Sequence, residues 1–382
     1  MSIKLAFAIP TFNRVSYLKN AINSIAQQNN VDDVEVTVLI SNIGSTDETH
    51  EYLSLVQSYH PELHFEITNK IPNPGHYFSA DFNFASLGEM IDDSIDWVWW
   101  LGDDDYLFNK SSLETVVEAI RKAKSKNLRL VHACQARRSH NSGKIIEANL
   151  LNLCNKIGFH EVLGWLSSLI IERSVAKKML LGHSPLTHNG AKNSLNEISA
   201  FYHSTNILRQ SAEDDVLLID LPLVEPQDER QTQVSNMRWQ KDNVGARYFL
   251  VPDDLEIIRS DLELPRFSRF FFRYLGYSLW DRYITFIIGK LMDEQLTFSI
   301  RESLSHQQFS EEIETLWGQI SKIPAMLDNK YDQKTIAVMI DTIRFISDHY
   351  IKSDFENDTL KIKLKTWALT VQLQQYHFKL LL

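Results

Sequence analysis

The stretch that decides the fold is Asp96-Trp97-Val98-Trp99-Trp100-Leu101-Gly102-Asp103-Asp104-Asp105. Its first part is strongly apolar and reads as a strand buried on both faces. The chain then bends at Gly102, which accepts a sharp backbone turn, and runs into three consecutive carboxylates. Adjacent carboxylates repel one another. A hard divalent cation between them lowers that cost, because Mg²⁺ or Mn²⁺ prefers oxygen ligands and bridges to phosphates. The plainer reading is a solvated acidic turn opening the helix expected over residues 111–124. Position at the end of a buried strand favours a metal–diphosphate site.

Outward from this strand the chain alternates short apolar runs with helical periods. Residues 3–9, 35–40 and 128–133 read as further buried strands, and 216–219 as another. Between the first two, Leu18, Ala21, Ile22 and Ile25 fall on one face of a helix over 16–28. A second helix over 46–59 has Ser45 or Thr46 as its cap and Glu48 in its first turn. This order predicts a parallel sheet with helices on both faces.

Two polar turns follow the first two strands. The first is Pro10-Thr11-Phe12-Asn13-Arg14, where Pro10 is expected to stop the ladder. The second is Ser41-Asn42-Ile43-Gly44-Ser45-Thr46-Asp47. In an open parallel sheet such turns stand at the carboxyl end, where ligands bind, and a helix N-terminus favours anions. Each turn alone is an ordinary use of Ser, Thr, Asn and Gly.

In that order, PTFNR, SNIGSTD and WVWWLGDDD resemble the family 2 glycosyltransferases of the GT-A fold, and the bacterial O-antigen and capsule type in particular. The likeness is close over residues 1–135 and looser over 136–235. It implies an α/β GT-A domain with a Rossmann-like mixed sheet over 1–235, a nucleotide-diphosphate sugar donor, and Mn²⁺ or Mg²⁺ as cofactor. Pro10, Thr11, Asn13 and Arg14 match the motif that lines the nucleotide pocket. Asn42 stands where relatives carry an aspartate that pairs with the base edge, and an amide there is uncharged. Asp103, Asp104 and Asp105 stand at the metal motif, with Asp104 or Asp105 on the metal and Asp103 toward the ribose or the metal's waters. Residues 69–85 contain Asn73, Gly75 and Asn83 but lack the Ala-Arg-Asn of many relatives. A basic contact to the diphosphate must therefore come from elsewhere or be left to the metal.

Inverting transfer also needs a carboxylate to take the proton of the acceptor hydroxyl. Glu213 and Asp214, in Glu213-Asp214-Asp215, match a Glu-Asp pair by composition, although acidic residues are common in a turn before a strand. Glu197, on a helix expected over 194–208, is the other candidate, because a helix is a rigid mount. Trp165, within Gly164-Trp165-Leu166-Ser167-Ser168, aligns with the acceptor side, where an aromatic face can stack on a sugar. A core tryptophan is the competing reading.

The remaining residues, 236–382, read as a helical C-terminal domain or extension behind a polar junction at 227–236. Residues 266–290 interleave aromatics with Arg266, Arg269, Arg273, Arg282 and Lys290, against one acid, Asp281. Such helices suit an anionic membrane face, where a polyprenyl-linked acceptor would lie; a dimer contact and a plain helix bundle are the alternatives.

Composition bounds the rest. The chain has 382 residues, 44% hydrophobic and 23% charged, with net charge −10. That is ordinary globular composition, and it argues against a general nucleic-acid surface. Two cysteines, Cys134 and Cys154, form neither a zinc-ligand spacing nor a disulfide framework. The N-terminus lacks the pattern of a signal peptide, and no window approaches the ~18 apolar residues of a membrane span. A cytoplasmic enzyme, or one peripheral on the inner membrane face, is expected. A non-catalytic module binding a nucleotide sugar or glycan on the same sheet is the alternative. A nucleotidyltransferase fits less well, since PTFNR is not its Gly-rich basic loop.

Overall fold

The computed structural model describes residues 2–70, 80–136, 139–157, 162–179 and 202–227. The chain divides into two compact units, Met1–Cys154 with Glu161–Ser235 and Asn155–His160 with Asn236–Leu382. All described residues except 155–157 lie in the first unit. The helical region expected over 236–382, with its membrane or oligomer contact, lies outside the described residues.

The elements in chain order are β1 (Ile3–Thr11), α1 (Val15–Ala26), β2 (Val34–Ile43), α2 (Thr49–Tyr59), β3 (His64–Lys70), α3 (Ala80–Met90), β4 (Trp97–Trp100) and β5 (Asp105–Leu107). There follow α4 (Ser112–Ser125), β6 (Leu130–Gln135), β7 (Ile145–Asn149), α5 (Leu150–Ile157), a 3₁₀ turn (Leu166–Ser168), β8 (Leu169–Glu172), α6 (Arg173–Met179), α7 (Tyr202–Ser211) and β9 (Asp215–Pro226). One sheet carries the strands in the order β3-β2-β1-β4-β8-β6-β9-β5, with β7 also on β9.

The first four strands are mutually parallel, as the alternation of elements predicts. The second half is mixed. β8 runs antiparallel to both β4 and β6, β9 runs parallel to β6, and β5 and β7 run antiparallel to β9. Apart from β9 these strands are short, and all pair out of sequence order, so apolar runs alone could not reveal their directions.

Apolar side chains on one sheet face decide where the helices sit. Leu18, Ala21, Ile22 and Ile25 of α1 join Tyr52, Leu53 and Val56 of α2, and a stripe of α4 from Leu113 to Ala123, in a single core against the sheet. Phe7 stacks on Trp99 in this core, with ring centroids 5.1 Å apart. Trp97, Trp99 and Trp100 are almost fully buried. Each large apolar side chain so buried contributes roughly 1.5–3 kcal/mol relative to exposure. β4 is thereby held rigidly behind the acidic turn.

Two local expectations are corrected. β1 does not stop at Pro10, which pairs with Ser41, and Thr11 pairs with Asn42. β4 pairs with β1 only from Leu5 to Ala8, so the missing N–H of Pro10 falls where one side of β1 is already open. α2 begins at Thr49 rather than 46. Asp47, not Ser45 or Thr46, accepts from the Thr49 backbone N–H at 3.1 Å, which frees Ser45 and Thr46 for the site.

Candidate active site

The carboxyl ends of β1 and β4 place the two turns side by side. Thr11, the last residue of β1, donates from Oγ1 to Asp103 Oδ2 at 2.8 Å. Arg14, just ahead of α1, reaches the same turn: its Nη1 lies 2.9 Å from Asp103 Oδ1 and 2.9 Å from Asp104 Oδ2. Burial works against the guanidinium charge, yet the two carboxylates more than offset it and hold Arg14 above its ordinary value.

Asn13 joins this turn to the one after β2. It sits at φ 54°, a left-handed conformation that asparagine tolerates better than most residues. Its backbone N–H donates to Ser45 Oγ at 2.8 Å, and its Oδ1 accepts from the Thr46 and Asp47 backbone N–H groups at 2.6 and 3.3 Å. Gly44, at φ 93°, makes the bend that brings those groups round.

Asn42 does not present the base-reading edge its alignment suggests. It is fully buried. Its Nδ2 donates to Asn69 Oδ1 at 2.9 Å, and its Oδ1 accepts from Ser45 Oγ. With both ends of the amide engaged inside the protein, Asn42 shapes the loop rather than offering groups to a ligand.

The three aspartates do not act as one set. Asp105 Oδ2 accepts from Trp165 Nε1 at 3.1 Å and from Ser167 Oγ. Ser167 Oγ in turn accepts from the Gly102 backbone N–H at 2.8 Å. Burial, with the charge of Asp104 beside it, raises the Asp105 carboxyl well above the usual range. Asp103 is pushed up to about 6, first by burial and against the pull of Arg14. Among the described residues no three His, Cys, Asp or Glu side chains gather where an ion could sit. Of the three aspartates at the expected metal motif, Asp103, Asp104 and Asp105, the last is therefore set apart, because Asp105 is drawn toward Ser167 and Trp165. Asp103 and Asp104 do offer oxygens to a common cationic point, the one Arg14 Nη1 occupies. Two carboxylates fit a hard cation that takes its remaining ligands from phosphate and water.

Gly102 is required here by space. A Cβ on it would stand 2.8 Å from Asp105 Oδ2 and 2.9 Å from Asp104 Oδ1. No side chain fits there without moving a carboxylate.

Two buried amides brace the site, and the sequence gives no reason to single out their roles. Asn83 on α3 donates to the Thr11 carbonyl at 3.0 Å and accepts from Ser41 Oγ and the Ile43 N–H, both at 2.9 Å. It ties the ends of β1 and β2 together. Gln227, in what reads as a junction, donates from its backbone N–H to the Asp104 carbonyl at 2.8 Å and from Nε2 to the carbonyls of Asp103 and Tyr17 at 3.3 and 3.0 Å. Its Oε1 accepts from Asn20 Nδ2 at 3.0 Å, so α1 and the acidic turn are held as one piece.

The general-base candidates fare differently. Glu213 and Asp214 precede β9, whose other end, Pro226, pairs with Asp105. β9 bulges between Ile219 and Val224, which together span only Ala133 to Gln135 of β6, so its twelve residues separate the ends by roughly 25 Å. Asp214 is also engaged by Arg129, whose Nε and Nη2 lie 3.1 and 2.5 Å from its Oδ2. Neither carboxylate can reach the acidic turn. Glu197 lies outside the described residues. Trp165 is brought to the site, its indole edge on Asp105 and its ring against the core.

A parallel half-sheet with polar turns at its carboxyl ends, an antiparallel second half and an acidic turn at their junction define the class. This is a GT-A fold. Residues 6–127 match the model of the family described as glycosyl transferase family 2. A curated relative, the uncharacterized glycosyltransferase MG060 of Mycoplasma genitalium, is 29% identical over 115 residues, 29% of this chain. The match spans only 35% of that relative's length. Among solved structures, S. aureus TarS 1–349 is similar with a TM-score of 0.52 and 15% identity, over 93% of this chain and 92% of that one. The same protein in complex with UDP-GlcNAc gives a TM-score of 0.53 at 14% identity, over 92% of each chain. The solved structures show the fold, and the family model covers residues 6–127 of the 382. Among the described residues no helix is long and apolar enough to cross a membrane.

Proposed function

We propose that this protein is a metal-dependent, inverting glycosyltransferase. It moves a sugar from a nucleotide-diphosphate donor to a glycan or polyprenyl-linked acceptor in bacterial surface polysaccharide synthesis, at the cytoplasmic side of the membrane. The observation that carries the reading is the convergence of Thr11 and Arg14 from β1 on Asp103 and Asp104 after β4. It joins a cation, a hydroxyl and two carboxylates at the carboxyl ends of a parallel sheet, where ligands bind in such folds.

Asp103 and Asp104 would hold Mn²⁺ or Mg²⁺, which when bound acts as a Lewis acid toward the leaving diphosphate. Arg14 stands beside them as a permanent positive charge for the same phosphates. Pro10, Thr11 and Asn13 shape the wall of the nucleotide pocket. Trp165, its indole edge fixed by Asp105, offers a face to the acceptor sugar. With Glu213 and Asp214 at the far end of β9, we assign the general base to Glu197.

A second reading, a module that binds a nucleotide sugar or glycan without turnover, draws on one observation: no base candidate among the described residues reaches the acidic turn. One experiment separates the two. UDP-, GDP- and dTDP-sugars are incubated with the protein and Mn²⁺, and nucleotide release is followed. Release from one donor, lost on Asp104→Asn, supports transfer. Donor binding without release supports the module. A protein that neither binds nor cleaves any of them overturns both.

A further inference from the structure

Away from this site, α1 and α2 lie on the same face of the sheet and leave a cavity of about 630 Å³ between their outer surfaces. Its floor is Tyr52, 7% exposed. The Lys19 ammonium lies 5.1 Å from the centroid of that ring, and Tyr59 stacks on it at 5.9 Å and 17°. Tyr59 itself is 55% exposed and neighbouring Leu55 is 43% exposed. Asn23, Glu48, Glu51 and His60 complete the rim.

We propose that this groove is a secondary saccharide-binding site, taking a neutral or N-acetylated stretch of oligosaccharide. The inference rests on the reading that the acceptor is a glycan. The chemistry favours a sugar over other occupants. One side of Tyr59 is fixed by its stack on Tyr52, so its solvent-facing surface is a rigid platform for the C–H face of a pyranose, at little entropic cost. The rim supplies two carboxylates, an amide, an imidazole and an ammonium, which suit hydroxyl and acetamido groups. With Glu48 and Glu51 against Lys19, the rim is net negative, which disfavours nucleotides, phosphates and anionic lipid headgroups. The volume lies in the range of small-ligand pockets, roughly 300–1,000 Å³.

The groove starts beside the active site at Glu48 and runs along α2 to Tyr59, about 16 Å further away. Glu48 follows Asp47, and Asp47 is joined to the site by its own N–H, which donates to Asn13 Oδ1, and by its Oδ2, which accepts from the Val15 N–H at 3.3 Å. A glycan seated on Tyr59 is thus held on the same rigid helices that carry Arg14, without touching the reacting groups. It would raise the local concentration of acceptor ends.

The test is a titration of the full-length protein, ¹³C-labelled in its tyrosine rings, with chitotetraose, cellotetraose or maltotetraose. Tyr52 and Tyr59 signals are expected to shift with at least one probe. Tyr59→Ala should weaken that binding about tenfold, the loss of one aromatic contact, while Tyr59→Phe retains it. Tyr59 is exposed at the end of its helix, so neither variant threatens the core. Signals unmoved by all three sugars overturn the proposal, as do shifts that follow protein concentration instead, the mark of a second copy in the groove. Binding at Tyr59 in a protein that transfers no sugar keeps this inference and sinks the proposed function. Transfer with unmoved tyrosine signals does the reverse.

Discussion

Thr11 donates its hydroxyl to the Asp103 carboxylate at 2.8 Å, across 92 residues of sequence, with both residues buried. This bond joins the end of β1 to the acidic turn after β4, and it explains why a strand that could have ended at Pro10 runs one residue further. Thr11→Val keeps the shape and removes the donor. A buried carboxylate short of a partner costs about 1–3 kcal/mol. The variant should lose that much unfolding free energy, read as a lower urea midpoint at an unchanged m-value, and bind nucleotide more weakly, while Thr11→Ser restores both. An unchanged midpoint would show that Arg14 alone holds Asp103.

The same aspartate gives the free protein a pH-dependent stability. Burial raises Asp103 to about 6, above the ~3.9 of an unfolded chain. The folded state therefore holds the proton more tightly. Its contribution to stability is complete below about pH 4 and is lost as pH rises through about 6. The loss is on the order of 3 kcal/mol. Asp103→Asn, which cannot ionise, should lessen the slope in denaturation curves taken between pH 4 and 7, leaving the share of Asp105, whose carboxyl burial also raises. At pH 7 it should be at least as stable as the parent while failing to bind a nucleotide sugar. An undiminished slope would place its origin elsewhere.

The sequence showed the parallel half of the fold because each of its strands is an apolar run flanked by a helical period. The apolar stripe Leu18, Ala21, Ile22 and Ile25 is the buried face of α1 as expected. The acidic turn was legible for the same reason, an abrupt change from Trp97–Trp100 to carboxylates. The inner wiring was not. Asp103, Asp104 and Asp105 are chemically identical in the text, and only the neighbours supplied by other elements, Arg14 to the first two and Ser167 and Trp165 to the third, make them different. Asn42 read as a ligand group, yet Asn69 and Ser45 close it off. Gln227 read as linker because polar residues mark linkers, whereas its amide is spent on backbone carbonyls of the site. Partnerships of this kind depend on pairing between β5 and β9, which no local pattern encodes.

Gly102 offers a sharper test of the carboxylate arrangement. An added Cβ would meet two side-chain oxygens, at 2.8 and 2.9 Å. Both belong to side chains that can move, so Gly102→Ala should fold, with a cost of about 1–3 kcal/mol from overpacking. One displaced carboxylate is that of Asp104, the proposed ligand, so Mn²⁺ affinity, read by the loss of its free-ion electron paramagnetic signal with UDP present, should fall at least about tenfold. Equal affinity in the variant would mean that Asp104 does not face the ion.

The assignment of the base makes opposite forecasts for three carboxylates. Asp214 is paired with Arg129, with about a third of each side chain exposed. Asp214→Asn should therefore cost no more than ~1 kcal/mol of stability and leave turnover intact, because the residue stands at the far end of β9. Glu213→Gln should change neither. Glu197→Gln, by contrast, should keep donor binding and the melting temperature of the parent but lose transfer by about 10²-fold or more, the usual share of a general base. The informative comparison is the transfer rate at saturating donor, measured beside donor affinity in the same variants. A Glu197→Gln protein with full turnover would remove Glu197 from the mechanism. A turnover defect in Asp214→Asn beyond its small loss of stability would return the base to the start of β9, against the roughly 25 Å of bulged strand that separates it from Asp105.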